Sequence, residues 1–141
     1  MKLLIVTQYY YPENFIINDL VKSLKKRGYE IEVLTAIPNY PLGKFYQGYN
    51  FFNKNSELLD DIKIHRSRII PRFNGGKIGL IFNYISFVIF GSLKLLSING
   101  KFDRVFIFAP SPVTVGIIGI IDTKRSCRDL NSDCQIQSLE C

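Results

Sequence analysis

A few places in the sequence hold residue types that can do chemistry. The first is the run Gln8-Tyr9-Tyr10-Tyr11-Pro12-Glu13-Asn14, which combines aromatic faces with a carboxylate and two amides. The others are Asn39-Tyr40, the single histidine His65 among Lys63, Arg66 and Arg68, and Ser111 between Pro110 and Pro112. What surrounds them excludes several reactions. No glycine lies between Val6 and Gly28, so neither the dinucleotide fingerprint nor a Walker phosphate loop is present there. The second strand-like run ends in Thr35-Ala36, without the acid that grips a ribose. Hydride transfer with a nicotinamide cofactor and ATP hydrolysis are therefore not expected. His65 has no second histidine or cysteine cluster beside it and is expected to be a partly exposed strand residue. Ser111 lacks the glycines of a nucleophile elbow, which argues against a hydrolase triad and leaves the role of a substrate-contacting hydroxyl.

These residues need a scaffold, and the pattern of the chain supplies one. Residues 2–7 form a continuous apolar run, as in a parallel strand covered on both faces. Ile17, Leu20, Val21 and Leu24 then recur at helical spacing, with Asp19, Lys22, Lys25 and Lys26 opposite. Pro12, Glu13 and Asn14 are first-turn and N-cap types, and Lys25-Lys26-Arg27-Gly28 suits a helix end. Residues 29–33 alternate as a second strand and complete a β-α-β unit. Residues 36–60 read as one long loop rich in rings, functional rather than disordered. A third strand is expected over 62–70, a long apolar helix over 77–97, a fourth strand over 104–108, and the start of a buried helix over 113–121. The predicted class is α/β: an open, mostly parallel Rossmann-like sheet, incomplete at its C-terminus, with ligands at the carboxyl ends of its strands.

The chain has 141 residues, 47% of them hydrophobic and 21% charged, as in a globular domain. Its formal net charge of +6 favours anionic partners, and charge alone does not choose among phosphates, lipid head groups and nucleic acid. Residues 122–141 contain no aromatic residue, no valine and no periodic pattern, unlike everything before them. They are expected to be a disordered tail, either a native one or the product of a sequence cut short or read out of frame near Ile121. Cys127, Cys134 and Cys141 all lie there, at a spacing that fits neither a disulfide framework nor a usual zinc site, so no metal and a reducing cytosol are expected.

Three stretches carry a resemblance. Val6-Thr7-Gln8-Tyr9-Tyr10-Tyr11-Pro12-Glu13-Asn14-Phe15 with Asn18-Asp19-Leu20, Leu34-Thr35-Ala36-Ile37-Pro38-Asn39-Tyr40-Pro41 with Gly43-Lys44, and Pro110-Ser111-Pro112-Val113-Thr114-Val115-Gly116 resemble family 4 glycosyltransferases of bacterial surface-polysaccharide assembly, the fucosamine and colanic-acid type above all. The resemblance covers residues 1–121. It implies the N-terminal half of a GT-B fold, in which this domain holds the acceptor, commonly a lipid-linked sugar, and a second domain binds the nucleotide sugar as co-substrate. O-antigen, colanic acid and capsule are the products of such enzymes. No cofactor beyond the nucleotide sugar and no nucleic acid partner are implied. The donor-binding part is not among these residues, so the chain is expected to transfer no sugar alone. The location expected is the cytoplasm, at the inner face of the membrane.

The residues at these positions suit a glycan. Tyr9, Tyr10, Tyr11 and Tyr40 offer rings on which the apolar side of a sugar can stack, and Glu13, Asn14, Asn39 and Ser111 offer directional hydrogen bonds. The plainer alternative is that the tyrosines pack the loop and Asn14 caps a helix. The helix over 77–97 is long enough to cross a membrane, yet Gly79, Asn83, Ser86, Lys94 and Ser97 form a polar stripe along it. Of its wide apolar face, part is expected to cover the sheet. The surplus, flanked by Arg66, Arg68, Arg72, Lys77 and Lys101, suits either burial or an anionic membrane. A non-enzymatic membrane-surface module on the same fold is the alternative function.

Overall fold

The computed structural model of the chain describes residues 1–52, 56–72, 76–109 and 136–140, with Ala109 and 136–140 as backbone only. The elements in chain order are β1 (Lys2–Thr7), α1 (Ile16–Lys26), β2 (Glu30–Ala36), β3 (Ser56–Leu59), β4 (Ile62–Ser67), α2 (Lys77–Ser97), β5 (Arg104–Ala109) and β6 (Ile136–Glu140). They form an α/β unit around one mixed sheet in the order β3-β4-β2-β1-β5-β6. Every strand pair is parallel except β3 with β4.

β1 is central, and its alternation feeds two cores. Leu4 and Val6 pack with Leu34, Ile107, Phe87 and Leu95 on the α2 side, whereas Ile5 packs with Val33, Ile64, Ile17 and Val21 on the α1 side. A strand with covered faces on both sides reads as an unbroken apolar run, which is why residues 2–7 show no polar alternation. α1 ends where Gly28 takes a φ of +86, a left-handed position that a residue with a Cβ enters only at a cost. At its start, Phe15 is the N-cap and no side chain caps the helix, so the expected cap at Asn14 is not formed.

The expected loop over 36–60 is corrected at its end by β3. Asp60 and Asp61 both have positive φ and close a two-residue hairpin between β3 and β4. The pair lacks the glycine that usually announces such a turn. The expected strand over 62–70 stops at Ser67, because the Ile37 N–H takes the Ser67 carbonyl and β2 offers no further partner. Within the remaining loop, Phe45 and Tyr49 pack on the α2-side core and Phe51 meets Phe90 edge-on at 5.8 Å. The expected helix over 113–121 and most of 122–141 lie outside the described residues. The described part of that tail, β6, pairs in parallel with β5.

The orientation of α2 differs from the simple expectation. Asn83 and Ser86, members of its polar stripe, are buried, and Leu95 and Phe87 cover the sheet. Ile81, Phe82 and Ile89 are each more than half exposed, at 55%, 56% and 52%.

Candidate functional site

All the parallel strands point the same way, so the loops after β1, β2 and β4 meet at one end of the sheet. Buried polar groups tie them together there. The Glu13 carboxylate oxygen Oε1 accepts the backbone N–H of Asn39 at 2.8 Å and of Tyr40 at 2.6 Å, joining the first loop to the second. Gln8 Nε2 donates to Asn83 Oδ1 at 2.8 Å, and Asn83 Nδ2 donates to the Ile70 carbonyl at 2.7 Å and to Asn39 Oδ1 at 3.4 Å. Ser86 Oγ accepts the Ile70 N–H at 2.9 Å. Asn83 and Ser86 of the polar stripe therefore bind the loop after β4 rather than water.

Arg66 is the second organiser. Its guanidinium is fully buried, pairs with Glu57 on β3, and donates to the carbonyls of Tyr11 and of Ala36 at the end of β2. A buried guanidinium survives only when its donors are satisfied in this way. Arg66 is thus unavailable as a surface cation beside α2. Arg72 donates to the hydroxyls of Tyr9 at 2.5 Å and Tyr84 at 3.2 Å. Its carbonyl lies against Gly43, where an added Cβ would stand 2.5 Å from the oxygen, and Gly43 also has a φ of +64.

The sequence-predicted residues divide into two groups. Tyr10, Glu13 and Asn39 are buried and engaged in the fold: Tyr10 lies in the α1-side core, and Asn39 Nδ2 donates to the Ile37 carbonyl at 3.0 Å. Tyr11, Asn14 and Tyr40 are exposed. Tyr40 leans on a small ring stack in which Tyr9 lies 5.0 Å from Phe15 at an interplanar angle of 11°, its own ring 5.5 Å from Tyr9. Tyr10, Tyr11 and Asn14 border an open cleft of about 510 Å³ between the start of α1 and the Asp60 turn, lined also by Asn18, Asp19 and Lys22. Glu13, Asn39 and Tyr40 do not line it. Ser111 lies outside the described residues.

The electrostatics match these positions. Burial pushes the Glu13 carboxyl above its ordinary value, against the pull of the backbone N–H groups it accepts from. Burial raises the phenols of Tyr9 and Tyr10 to about 12, so neither ionises near neutrality. His65 is buried instead of partly exposed, as its Nε2 meets Glu32 Oε2 at 2.6 Å on the α2 side of the sheet. That contact places its proton on Nε2. Burial holds His65 below its usual value despite Glu32, and the imidazole remains neutral at pH 7.

Sequence reasoning missed Gln8, Arg66, Arg72 and Asn83 as organisers of this end of the sheet. The available signal was their position: Asn83 sits within an otherwise apolar helix, and Gln8 directly follows a buried strand. The accessible groups can stack against a ring and hydrogen-bond hydroxyls. Glu13 is held by two backbone donors, which suits an anchor better than a base. Neither a family model nor a curated protein matches the chain, so its function rests on this geometry and on the resemblance of its motifs.

Proposed function

We propose that the chain is the acceptor-side domain of a nucleotide-sugar-dependent glycosyltransferase of bacterial surface-polysaccharide assembly, built on a Rossmann-like scaffold of the GT-B kind. The observation that carries the reading is the Glu13 bridge, which joins the Tyr-Pro-Glu-Asn loop to the Asn39-Tyr40 loop at the ligand end of the sheet. These loops carry two of the three stretches on which the resemblance rests. The order of the parallel strands, β4-β2-β1-β5-β6, is that of doubly wound nucleotide-binding sheets and supports the scaffold.

In this reading Tyr11 and Tyr40 stack on the acceptor and Asn14 sorts its hydroxyls, with Ser111 as a further hydroxyl contact. Tyr10, Glu13 and Asn39 position these groups from below and do not touch the glycan. The departing nucleotide diphosphate needs positive charge or helix N-termini around its phosphates, and a facing second domain supplies them. Chemistry that draws on both walls of a cleft does not proceed on one. The acceptor is a lipid-linked sugar presented at the inner face of the cytoplasmic membrane.

The purified chain, incubated with lipid-linked acceptors and a panel of nucleotide sugars, should bind acceptor saturably without turnover. Tyr11→Ala and Tyr40→Ala should each weaken that binding by about fivefold, the worth of one aromatic stacking contact. Multiple turnovers by the chain alone, or binding indifferent to both substitutions, would overturn the assignment. Vesicle binding with no glycan binding at all would favour a non-enzymatic membrane-surface module.

A further inference from the structure

α2 exposes an apolar arc that nothing described in the fold covers. Ile78, Ile81, Phe82, Ile85, Ile89 and Leu93 follow one another along its outward side. Single exposed apolar residues are ordinary, but a continuous arc on one helix marks a contact surface. The helix is apolar and long enough to cross a bilayer. Crossing would nevertheless strip Asn83 and Ser86 of their bonds to Gln8 and Ile70 and pull Phe87 and Leu95 from the core. A helix held in this way can lie on a membrane but cannot span one.

Beside the arc is a groove of about 280 Å³ between β4 and α2, lined by Arg66, Ser67, Arg68, Phe90, Leu93, Lys94 and Ser97. Among the described residues no carboxylate lines it, and α2 itself carries no acidic residue. Arg66 is consumed by Glu57, whereas Arg68 stands over the rings of Phe51 at 5.3 Å and Phe52 at 5.6 Å, and among the described residues neither Arg68 nor Lys94 forms an ion pair. Ser67 Oγ is buried and has no hydrogen-bond partner among the described residues. A buried hydroxyl without a partner beside two cations suits an anionic oxygen ligand. Burial, with Lys63 nearby, also holds Lys94 below the ordinary lysine value, a strain that a bound anion relieves.

We propose that the outward arc of α2 docks on an anionic phospholipid bilayer and that the groove between β4 and α2 receives one lipid phosphate. Leu93 borders both features, so a head group in the groove leaves its acyl chains alongside the apolar arc. The charge decides the occupant. A second copy of this chain would bring one cationic groove near another in a protein of net charge +6, whereas an anionic membrane complements both. The docking is separate from glycan recognition, which uses loops at the end of the sheet.

The test is flotation of the full chain with phosphatidylglycerol and with phosphatidylcholine vesicles. Recovery with the anionic vesicles alone, falling as salt rises, is expected. Arg68→Gln and Lys94→Gln should each reduce partitioning about fivefold, the effect of one cation near the surface. The doubly substituted Ile85→Ser, Ile89→Ser chain should lose about tenfold or more, and both positions are exposed, so folding is not at risk. Ser67→Val, which leaves the charge unchanged, should weaken binding several-fold if a phosphate occupies the groove. Equal recovery with both lipids, none with either, or a dimer in solution that the serine substitutions dissolve would overturn the docking. Equal losses for Lys77→Gln, away from the groove, and Lys94→Gln would overturn the phosphate site. A soluble acceptor glycan should bind all these variants alike, which separates failure here from failure of the glycosyltransferase reading.

Discussion

On α1, Ile17 and Val21 are buried while Asp19, Lys22 and Lys26 lie outside; on α2, Asn83 and Ser86 are buried while Ile81, Phe82 and Ile89 lie outside. Both helices flank the same sheet and bury apolar residues against it. The difference lies in what else each must satisfy. α1 meets strands whose backbone groups are already paired within the sheet, and its polar side chains reach backbone only in the loops at its two ends, Asn18 Nδ2 donating to the Glu13 carbonyl at 2.8 Å and Lys25 Nζ to the Asp61 carbonyl at 3.1 Å. α2 also meets the chain leaving β4, where the Ile70 N–H and carbonyl have no ladder partner and must find one. Its amide and hydroxyl serve that irregular backbone. A polar stripe on a helix therefore marks solvent in one case and a buried loop in the other.

The comparison is sharpest in substitutions that remove apolar side chains from each helix. Ile17→Ala, at a fully buried position on α1, should lower stability by about 3 kcal/mol, against less than about 0.5 kcal/mol for Ile89→Ser on α2. Equilibrium denaturation of the two variants checks it, and similar losses would mean that the arc of α2 is packed after all. Next in size, Asn83→Leu should cost about 2 kcal/mol even though it adds hydrophobicity, because the Ile70 carbonyl and the Gln8 amide lose their partner. A neutral or stabilising result would remove the loop-binding role of α2.

The smallest effect expected is on pH dependence, from the pair that lies below α2. Burial would raise the Glu32 carboxyl, but the bonds from His65 and Lys2 outweigh it and leave the group below its ordinary value. Burial lowers His65 as well. Both folded-state values being depressed, their stabilisation is full above the unfolded values of 6.5 and 4.5 and is lost as the pH falls through the folded ones. Stability should decline on acidification below about pH 6.5 in the native chain, and His65→Gln should flatten the upper part of that decline in a pH series of urea melts. An unchanged slope would mean that His65 does not titrate with folding.

The legible part of the fold was that in which a residue's type decides its surroundings. Apolar runs marked β1 and β5, the period of α1 was plain, and the bounds of α2 followed from Gly76 before it and the break after Ser97. β3 was hidden because Asp60-Asp61 enters the left-handed region without glycine, which aspartate tolerates. In the candidate site, type alone did not reveal that the capacity of Glu13 and Asn39 is used on backbone, or that Arg66 is buried. A carboxylate that sorts a ligand and one that fastens two loops look alike in a sequence. Only the partner distinguishes them, and the partners lie at a sequence separation that no local pattern encodes.

The Glu13 bridge makes the two loops a single cooperative unit. Asn39 and Tyr40 N–H cannot be released to water without also depriving the buried Glu13 carboxyl of two of its backbone donors, which couples the opening of the loop after β2 to that of the loop after β1. A ligand that ordered the loop at Tyr11 would then also order the loop at Tyr40, and the ordering entropy of both would be lost once, at the first contact. Equal protection of the Asn39 and Tyr40 amides in hydrogen exchange, lost together in Glu13→Gln, is the expected sign of that coupling.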